Sequence, residues 1–81
     1  MPRVTIPADL QRYTGGAARV EVNALSYRDL VDELSRRFPA LTPEIIRKQA
    51  IAIDGMVIHE PLLESFLPDS ELVLVPRIAG G

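Results

Sequence analysis

Residues 71–81 read ELVLVPRIAGG, a short apolar run followed by a proline and a tail that ends in two glycines. The segment Glu71 to Val75 is rich in residues that β-strands favour, and a proline cannot donate the next ladder hydrogen bond. We therefore predict a strand that Pro76 stops. The run from Leu72 to Val75 does not alternate with polar residues, which is typical of a strand covered on both faces. The number of helices elsewhere in the chain decides whether both faces can be covered.

Alternating apolar residues and turn signals predict four further strands, at Val4–Ile6, Val20–Asn23, Ile51–Ile53 and Met56–Ile58. Asp54 and Gly55 join the last two, and this dipeptide suits a type I′ hairpin turn, in which both central residues have positive φ. Between the first two strands, we expect the segment Pro7–Thr14 to pack back onto the domain as a loop, through Leu10 and Tyr13.

One main helix is predicted after the second strand. Ser26 is a favourable N-cap, and Asp29 stands three residues later, in a position like that of a capping box. Pro39 ends the helix, and Thr42 with Pro43 starts a shorter helical turn. Apolar residues then recur at helical spacing on one face: Tyr27, Leu30, Val31, Leu34 and Phe38. The order of elements predicts an α+β domain in which this helix covers one face of the sheet.

A single helix leaves the second face of the last strand uncovered. Either Leu72 and Leu74 or Val73 and Val75 must then face outward, and the sequence leaves both choices open. We predict that the four residues include a surface for partner proteins, because an exposed apolar patch commonly marks an interaction site. The alternative is that they are ordinary scattered surface residues.

Composition excludes several classes of function. The 81 residues are 47% apolar and 25% charged, which indicates one globular domain. Cysteine is absent and His59 is the only histidine, so we predict neither a catalytic residue nor a metal site. The 9 basic and 11 acidic residues are interspersed, which argues against nucleic-acid binding. No apolar segment is long enough to span a membrane, and we expect a cytoplasmic protein that is monomeric when free.

The ending Leu74-Val75-Pro76-Arg77-Ile78-Ala79-Gly80-Gly81 resembles the finish of the MoaD/ThiS-type sulfur carriers, which are ubiquitin-like β-grasp proteins. The opening Ile6-Pro7-Ala8-Asp9-Leu10, with the later Tyr13-Thr14-Gly15-Gly16, resembles the carriers that serve protein-bound cysteine synthesis. The resemblance implies a β-grasp domain over residues 1–76, with a mixed sheet packed on one main helix and with strands one and five parallel at its centre. It also implies a flexible tail over residues 77–81.

The same resemblance implies a carrier rather than an enzyme. In such a cycle an E1-like adenylating enzyme would consume ATP to activate the Gly81 carboxylate, and a sulfur donor would convert it to a thiocarboxylate. A sulfur-acceptor enzyme of cysteine, thiamine, molybdopterin or a related pathway would then take the sulfur. The residues expected to enter the partner's active site are Arg77, Ile78, Ala79 and Gly80. No bound cofactor is expected.

Two departures from the family pattern stand in the chain. Asp69-Ser70-Glu71 replaces a common Asp-Gly-Asp turn, and Arg77 replaces a residue that is commonly small or apolar. Two other functions remain open: a ubiquitin-like modifier conjugated to other proteins through Gly81, and a β-grasp domain that only binds partners.

Overall fold

A computed structural model describes residues 1–77 of the chain. Its elements, in chain order, are strand β1 (Arg3–Thr5), a 3₁₀ helix (Ala8–Tyr13), strand β2 (Arg19–Glu21), helix α1 (Tyr27–Arg37), helix α2 (Pro43–Arg47), and strands β3 (Gln49–Ile53), β4 (Met56–Ile58) and β5 (Glu71–Pro76). The predicted order of strands and helices is confirmed.

The five strands form one mixed sheet in the order β2-β1-β5-β3-β4. Strand β5 is central and runs parallel to β1, with Leu72 opposite Val4. It runs antiparallel to β3, with Leu74 opposite Ile51. The remaining pairs, β1 with β2 and β3 with β4, are antiparallel. The last strand of the sequence therefore holds the two hairpins together, and the chain leaves the sheet from its centre.

Helix α1 forms where its capping residue predicts. The Ser26 hydroxyl accepts a hydrogen bond from the Asp29 backbone N–H at 3.2 Å, which satisfies one of the free donors of the first turn. The inward face of the helix buries Leu30 and Leu34 completely. These side chains pack in one core with the inward residues of the sheet, including Val4, Ile51, Leu72 and Leu74.

The acidic face of α1 also anchors the neighbouring strand. Glu33 accepts hydrogen bonds from the backbone N–H groups of Asn23 at 2.9 Å and Ala24 at 3.0 Å, just after β2 ends. Its carboxylate also pairs with Arg37 at 3.2 Å. Charged acceptors make stronger hydrogen bonds than neutral ones, so Glu33 fixes the connection from β2 into the helix.

Two sequence predictions need correction. Residues 8–13 form a 3₁₀ helix rather than a loop, because Leu10 N–H bonds to the Pro7 carbonyl at 2.9 Å and Thr14 N–H to the Gln11 carbonyl at 3.1 Å. The expected inward packing does occur, since Leu10 is buried. Pro76 lies within β5, opposite Gln49, instead of stopping the strand one residue earlier.

The turn before β5 explains the serine that departs from the family pattern. Ser70 is buried, and its hydroxyl accepts from Leu67 N–H at 2.9 Å and donates to an Asp54 carboxylate oxygen at 2.9 Å. The other oxygen of Asp54 accepts from Glu71 N–H at 2.9 Å. Asp54 and Gly55 both have positive φ, as predicted for the β3–β4 turn. These contacts join that turn to the start of the central strand.

We expect Leu34→Ala to lower the free energy of unfolding by about 2–5 kcal/mol, because it leaves a cavity where the side chain is fully buried. Ser26→Ala should lower it by about 1 kcal/mol through loss of the N-cap. Denaturant unfolding measures both. Arg36→Ala, on the exposed side of the same helix, is the control and should change stability by about 0.5 kcal/mol or less. A silent Leu34→Ala would contradict the packing of α1 on the sheet.

Candidate functional site

The face of the sheet away from α1 carries an apolar surface around the central strand. Val73 lies on this face and is 36% exposed, and Val75 is half-buried beside it. Directly paired residues of neighbouring strands project to the same side, so Val73 shares this side with Ala52. Ala52 pairs in turn with Val57, which is 49% exposed. We call Val57, Val73 and Val75 the valine face.

The structure decides between the two outward pairs that the sequence left open. Leu72 and Leu74 are 0% and 1% exposed and belong to the core, so they are removed from the predicted partner surface. The physical reason is the register of β5, which places them opposite Val4 and Ile51 on the helix side of the sheet. Only Val73 and Val75 of the four can meet a partner.

Two alanines of β3 lie next to the valines of the valine face. Ala50 pairs with Val75, and Ala52 lies between Val73 and Val57 in the register. Each alanine has only a methyl group between larger neighbours, and both alanines are buried. The face therefore has little side-chain bulk along β3, and Ala52 has Val73 on one side and Val57 on the other.

Charged residues border the valine face at the start of β5. Arg3 and Glu71 are opposite one another in the β1–β5 register, and their side chains form an ion pair at 2.8 Å. Both side chains are more than half exposed, so this pair contributes little to stability. The pair therefore places charged groups at one border of the apolar face, and polar groups are usual at the border of a protein interface.

The chain leaves the sheet beside this face. Arg77 follows the last residue of β5, and its guanidinium donates a hydrogen bond to the His59 backbone carbonyl. This contact holds the base of the predicted tail against the loop after β4. The other predicted tail residues, Ile78, Ala79, Gly80 and Gly81, lie outside the described residues.

A cleft of about 470 Å³ opens next to Arg77, and we call it the Tyr27 cleft. Its lining residues come from α1, α2, the loop after β4 and the end of β5: Tyr27, Arg47, Glu60, Pro61, Leu62 and Arg77. Tyr27 is 3% exposed. Burial raises the pKa of the Tyr27 phenol, and the positive charges of Arg47 and Arg77 oppose that rise. The hydroxyl is therefore neutral at physiological pH.

Sequence reasoning did not find this cleft. Tyr27 was placed correctly on the apolar face of the helix, but no pattern in the sequence relates it to Arg47, and Glu60 to Leu62 belong to no predicted strand or helix. The loop that contains them lies along the start of α1, since Tyr27 N–H bonds to the Glu64 carbonyl at 3.0 Å and Phe66 N–H to the Leu25 carbonyl at 2.8 Å. No local pattern signals such a contact.

Over residues 1–77, the structure brings together no three histidine, aspartate or glutamate side chains that could hold a metal ion. None of the helices in this range has the length and apolar character needed to cross a membrane.

A mixed sheet in this order, packed on one main helix, is the ubiquitin-like β-grasp fold. The family model of the ThiS family matches residues 4–81, and the chain belongs to that family. No curated protein matches the sequence.

Solved structures share this fold. A chain of the BexX/CysO complex from Amycolatopsis orientalis superposes with a TM-score of 0.84 at 20% identity, over 100% of both chains. SAMP1 from Haloferax volcanii gives a TM-score of 0.70 at 25% identity, over 99% of this chain and 98% of that one. The small archaeal modifier protein 1 from Methanosarcina acetivorans gives 0.79 at 21% identity, over 99% and 95%. The predicted fold and family are confirmed.

The two sides of β5 should respond differently to a charge. Leu74→Asp buries an unpaired carboxylate in the core and should lower the free energy of unfolding by more than about 4 kcal/mol. Val73→Asp keeps its charge in water and should lower it by about 1 kcal/mol or less, the span of strand propensity. Circular dichroism and thermal melting distinguish the two. Equal loss of structure in both variants would contradict the register of the central strand.

Proposed function

We propose that this ThiS-family protein is a sulfur carrier that works through the carboxylate of Gly81. A carboxylate oxygen attacks the α-phosphorus of ATP in a partner enzyme, pyrophosphate leaves, and an acyl adenylate forms. Hydrosulfide, or an equivalent from a sulfur donor, then attacks the carbonyl carbon and forms a carbon–sulfur bond. The bond from that carbon to the phosphate oxygen breaks, and AMP leaves with the oxygen and the electron pair. The product is a thiocarboxylate, whose sulfur an acceptor enzyme takes.

The chemistry of carboxylates explains why the carrier need supply only its terminus while a partner enzyme activates it. A carboxylate is a poor electrophile until one oxygen becomes a good leaving group, and a partner can supply all the groups that achieve this. ATP is then consumed by that partner, and the carrier itself binds no cofactor. Glycine has no Cβ, so Gly80 and Gly81 can adopt conformations that other residues resist and leave the attacked carbonyl uncrowded. Four residues beyond Arg77 reach roughly 13–14 Å, enough to enter a narrow active site.

The observation that carries the proposal is the position of the tail root relative to the valine face. β5 is the central strand, carries Val73 and Val75 outward, and leads directly into Arg77. An enzyme seated on the valine face would therefore have the tail entering it from the middle of the contact. The relative from Amycolatopsis orientalis was crystallised in a BexX/CysO complex, which supports a working cycle that depends on bound partners.

A second function uses the same terminus. Two of the structural relatives carry the name small archaeal modifier protein, and one of them is 25% identical over nearly the whole chain. An acyl adenylate attacked by a lysine amine instead of sulfur would give an amide link to another protein. Thiocarboxylate and lysine-linked adducts are separable by mass, so the two products can be measured in one sample.

Deleting Gly81 should leave thermal stability unchanged but abolish adenylation and sulfur transfer. Gly80→Val should impair both steps, because a β-branched side chain restricts the backbone and widens the tail. Pyrophosphate release measures adenylation, and AMP release with intact mass measures sulfur uptake, after incubation with the cognate adenylating enzyme, ATP and sulfide. Ala40→Val, a substitution at an exposed site on the body, is the control. Sulfur uptake by the truncated chain would refute the proposal.

Val73→Asp should weaken binding of the adenylating enzyme about tenfold or more, since an unpaired carboxylate would be desolvated at the centre of the contact. Ala40→Asp introduces the same side chain at an exposed site outside the sheet and should bind like the parent. Titration calorimetry on folded protein gives both dissociation constants. If the two variants bind equally well, the valine face is not the contact surface.

A further inference from the structure

The Tyr27 cleft combines apolar side chains with the phenol of Tyr27 and with charged side chains. Pro61 and Leu62 form part of its wall, and the ring of Tyr27 is almost wholly buried. Within residues 1–77, Gln49 Oε1 is the one buried side-chain oxygen or nitrogen without a hydrogen-bond partner, so the Tyr27 hydroxyl is not sealed in the core but open to the cleft. A phenol hydroxyl that is open to a cleft can donate a hydrogen bond to an acceptor bound there.

The charged side chains of the cleft favour a negatively charged ligand. Neither Arg47 nor Arg77 forms an ion pair with a carboxylate of residues 1–77, whose ion pairs all lie elsewhere. Arg77 uses one of its donors on the His59 carbonyl, which orients the guanidinium and leaves its other N–H groups available. With Glu60, the lining carries two positive charges and one negative charge. One bound carboxylate would neutralise the net charge of +1 that remains, and guanidinium groups bind carboxylates well.

We propose that the Tyr27 cleft binds the chain's own terminal carboxylate between activation events. The proposal rests on the proposed function in taking Gly81 as the terminal residue, but it needs no activating enzyme. The tail starts at the cleft, because Arg77 is both its first residue and part of the lining. Its remaining four residues reach at most roughly 14 Å, and a cleft of about 470 Å³ next to the starting point lies well within that length.

Attachment makes a weak site effective. Both arginines are exposed, so each contact with a carboxylate is individually weak. A ligand tethered by a short linker, however, has an effective concentration in the millimolar range, which can populate a site that free acids would leave mostly empty. A thiocarboxylate is also an anion and fits the same groups. The cleft would hold the terminus until a partner on the valine face competes for it.

The test measures the acid dissociation constant of the Gly81 carboxyl group in the free 81-residue protein. The carboxyl carbon is labelled with ¹³C and its chemical shift is followed against pH. Nearby guanidinium groups favour the ionised form, so Arg47→Gln should make this group a weaker acid by roughly 1.5- to 5-fold. Arg19→Gln is the control. It removes the same charge from an exposed position on β2. That strand lies at one edge of the sheet, and β4 lies at the opposite edge.

The outcomes separate this proposal from the proposed function and from a role of Arg47 in partner binding. A weaker acid in Arg47→Gln but not in Arg19→Gln, together with an unchanged or higher kcat/KM for adenylation, supports the cleft as a site for the chain's own terminus. The same dissociation constant in all three proteins overturns it. If that constant is unchanged and kcat/KM falls, Arg47 contacts an acidic group of the enzyme instead. Failure of adenylation in the parent protein would refute the carrier function and leave the NMR result intact.

Discussion

The parallel pairing of β1 with β5 is the contact on which the other features depend. It places a strand from the end of the chain in the centre of the sheet, with one neighbour from each hairpin. Because side chains alternate along a strand, this register sends Leu72 and Leu74 into the core and Val73 to the open face. A shift of one residue would reverse every side chain of β5 and destroy both surfaces. The core, the valine face and the point where the chain leaves the sheet are thus set by one pairing.

The same pairing explains how the chain can leave the sheet from its central strand without weakening the core. Central strands are the most protected elements of a sheet, and β5 is bonded on both edges. The contacts of Ser70 with Asp54 and Leu67 fix the start of β5, and the bond from Arg77 to the His59 carbonyl lies at its end. In the function proposed above, a partner would act on the segment after β5 while the body stays folded.

Local signals in the sequence predicted the elements well, whereas contacts between distant segments had to come from the structure. Ser26 and Asp29 define the start of α1, and Asp54-Gly55 defines a hairpin turn, because both depend only on neighbouring backbone groups. The outward side of β5 was not predictable, since Leu72 to Val75 are all apolar and the register depends on β1. The Tyr27 cleft was hidden for the same reason: Arg47 and Arg77 are far apart in sequence and meet only when β3 pairs with β5.

The account makes the body of this ThiS-family protein a recognition module and assigns all covalent chemistry to the terminal glycine. Intact-mass analysis of the protein isolated from its native cell tests that claim most directly. The account predicts a fraction of the chain heavier by the exchange of one carboxylate oxygen for sulfur, with the change located to Gly81 by fragmentation and absent from a strain that lacks the cognate adenylating enzyme. A terminus that is always an unmodified carboxylate, in cells where that enzyme and a sulfur source are present, would contradict it.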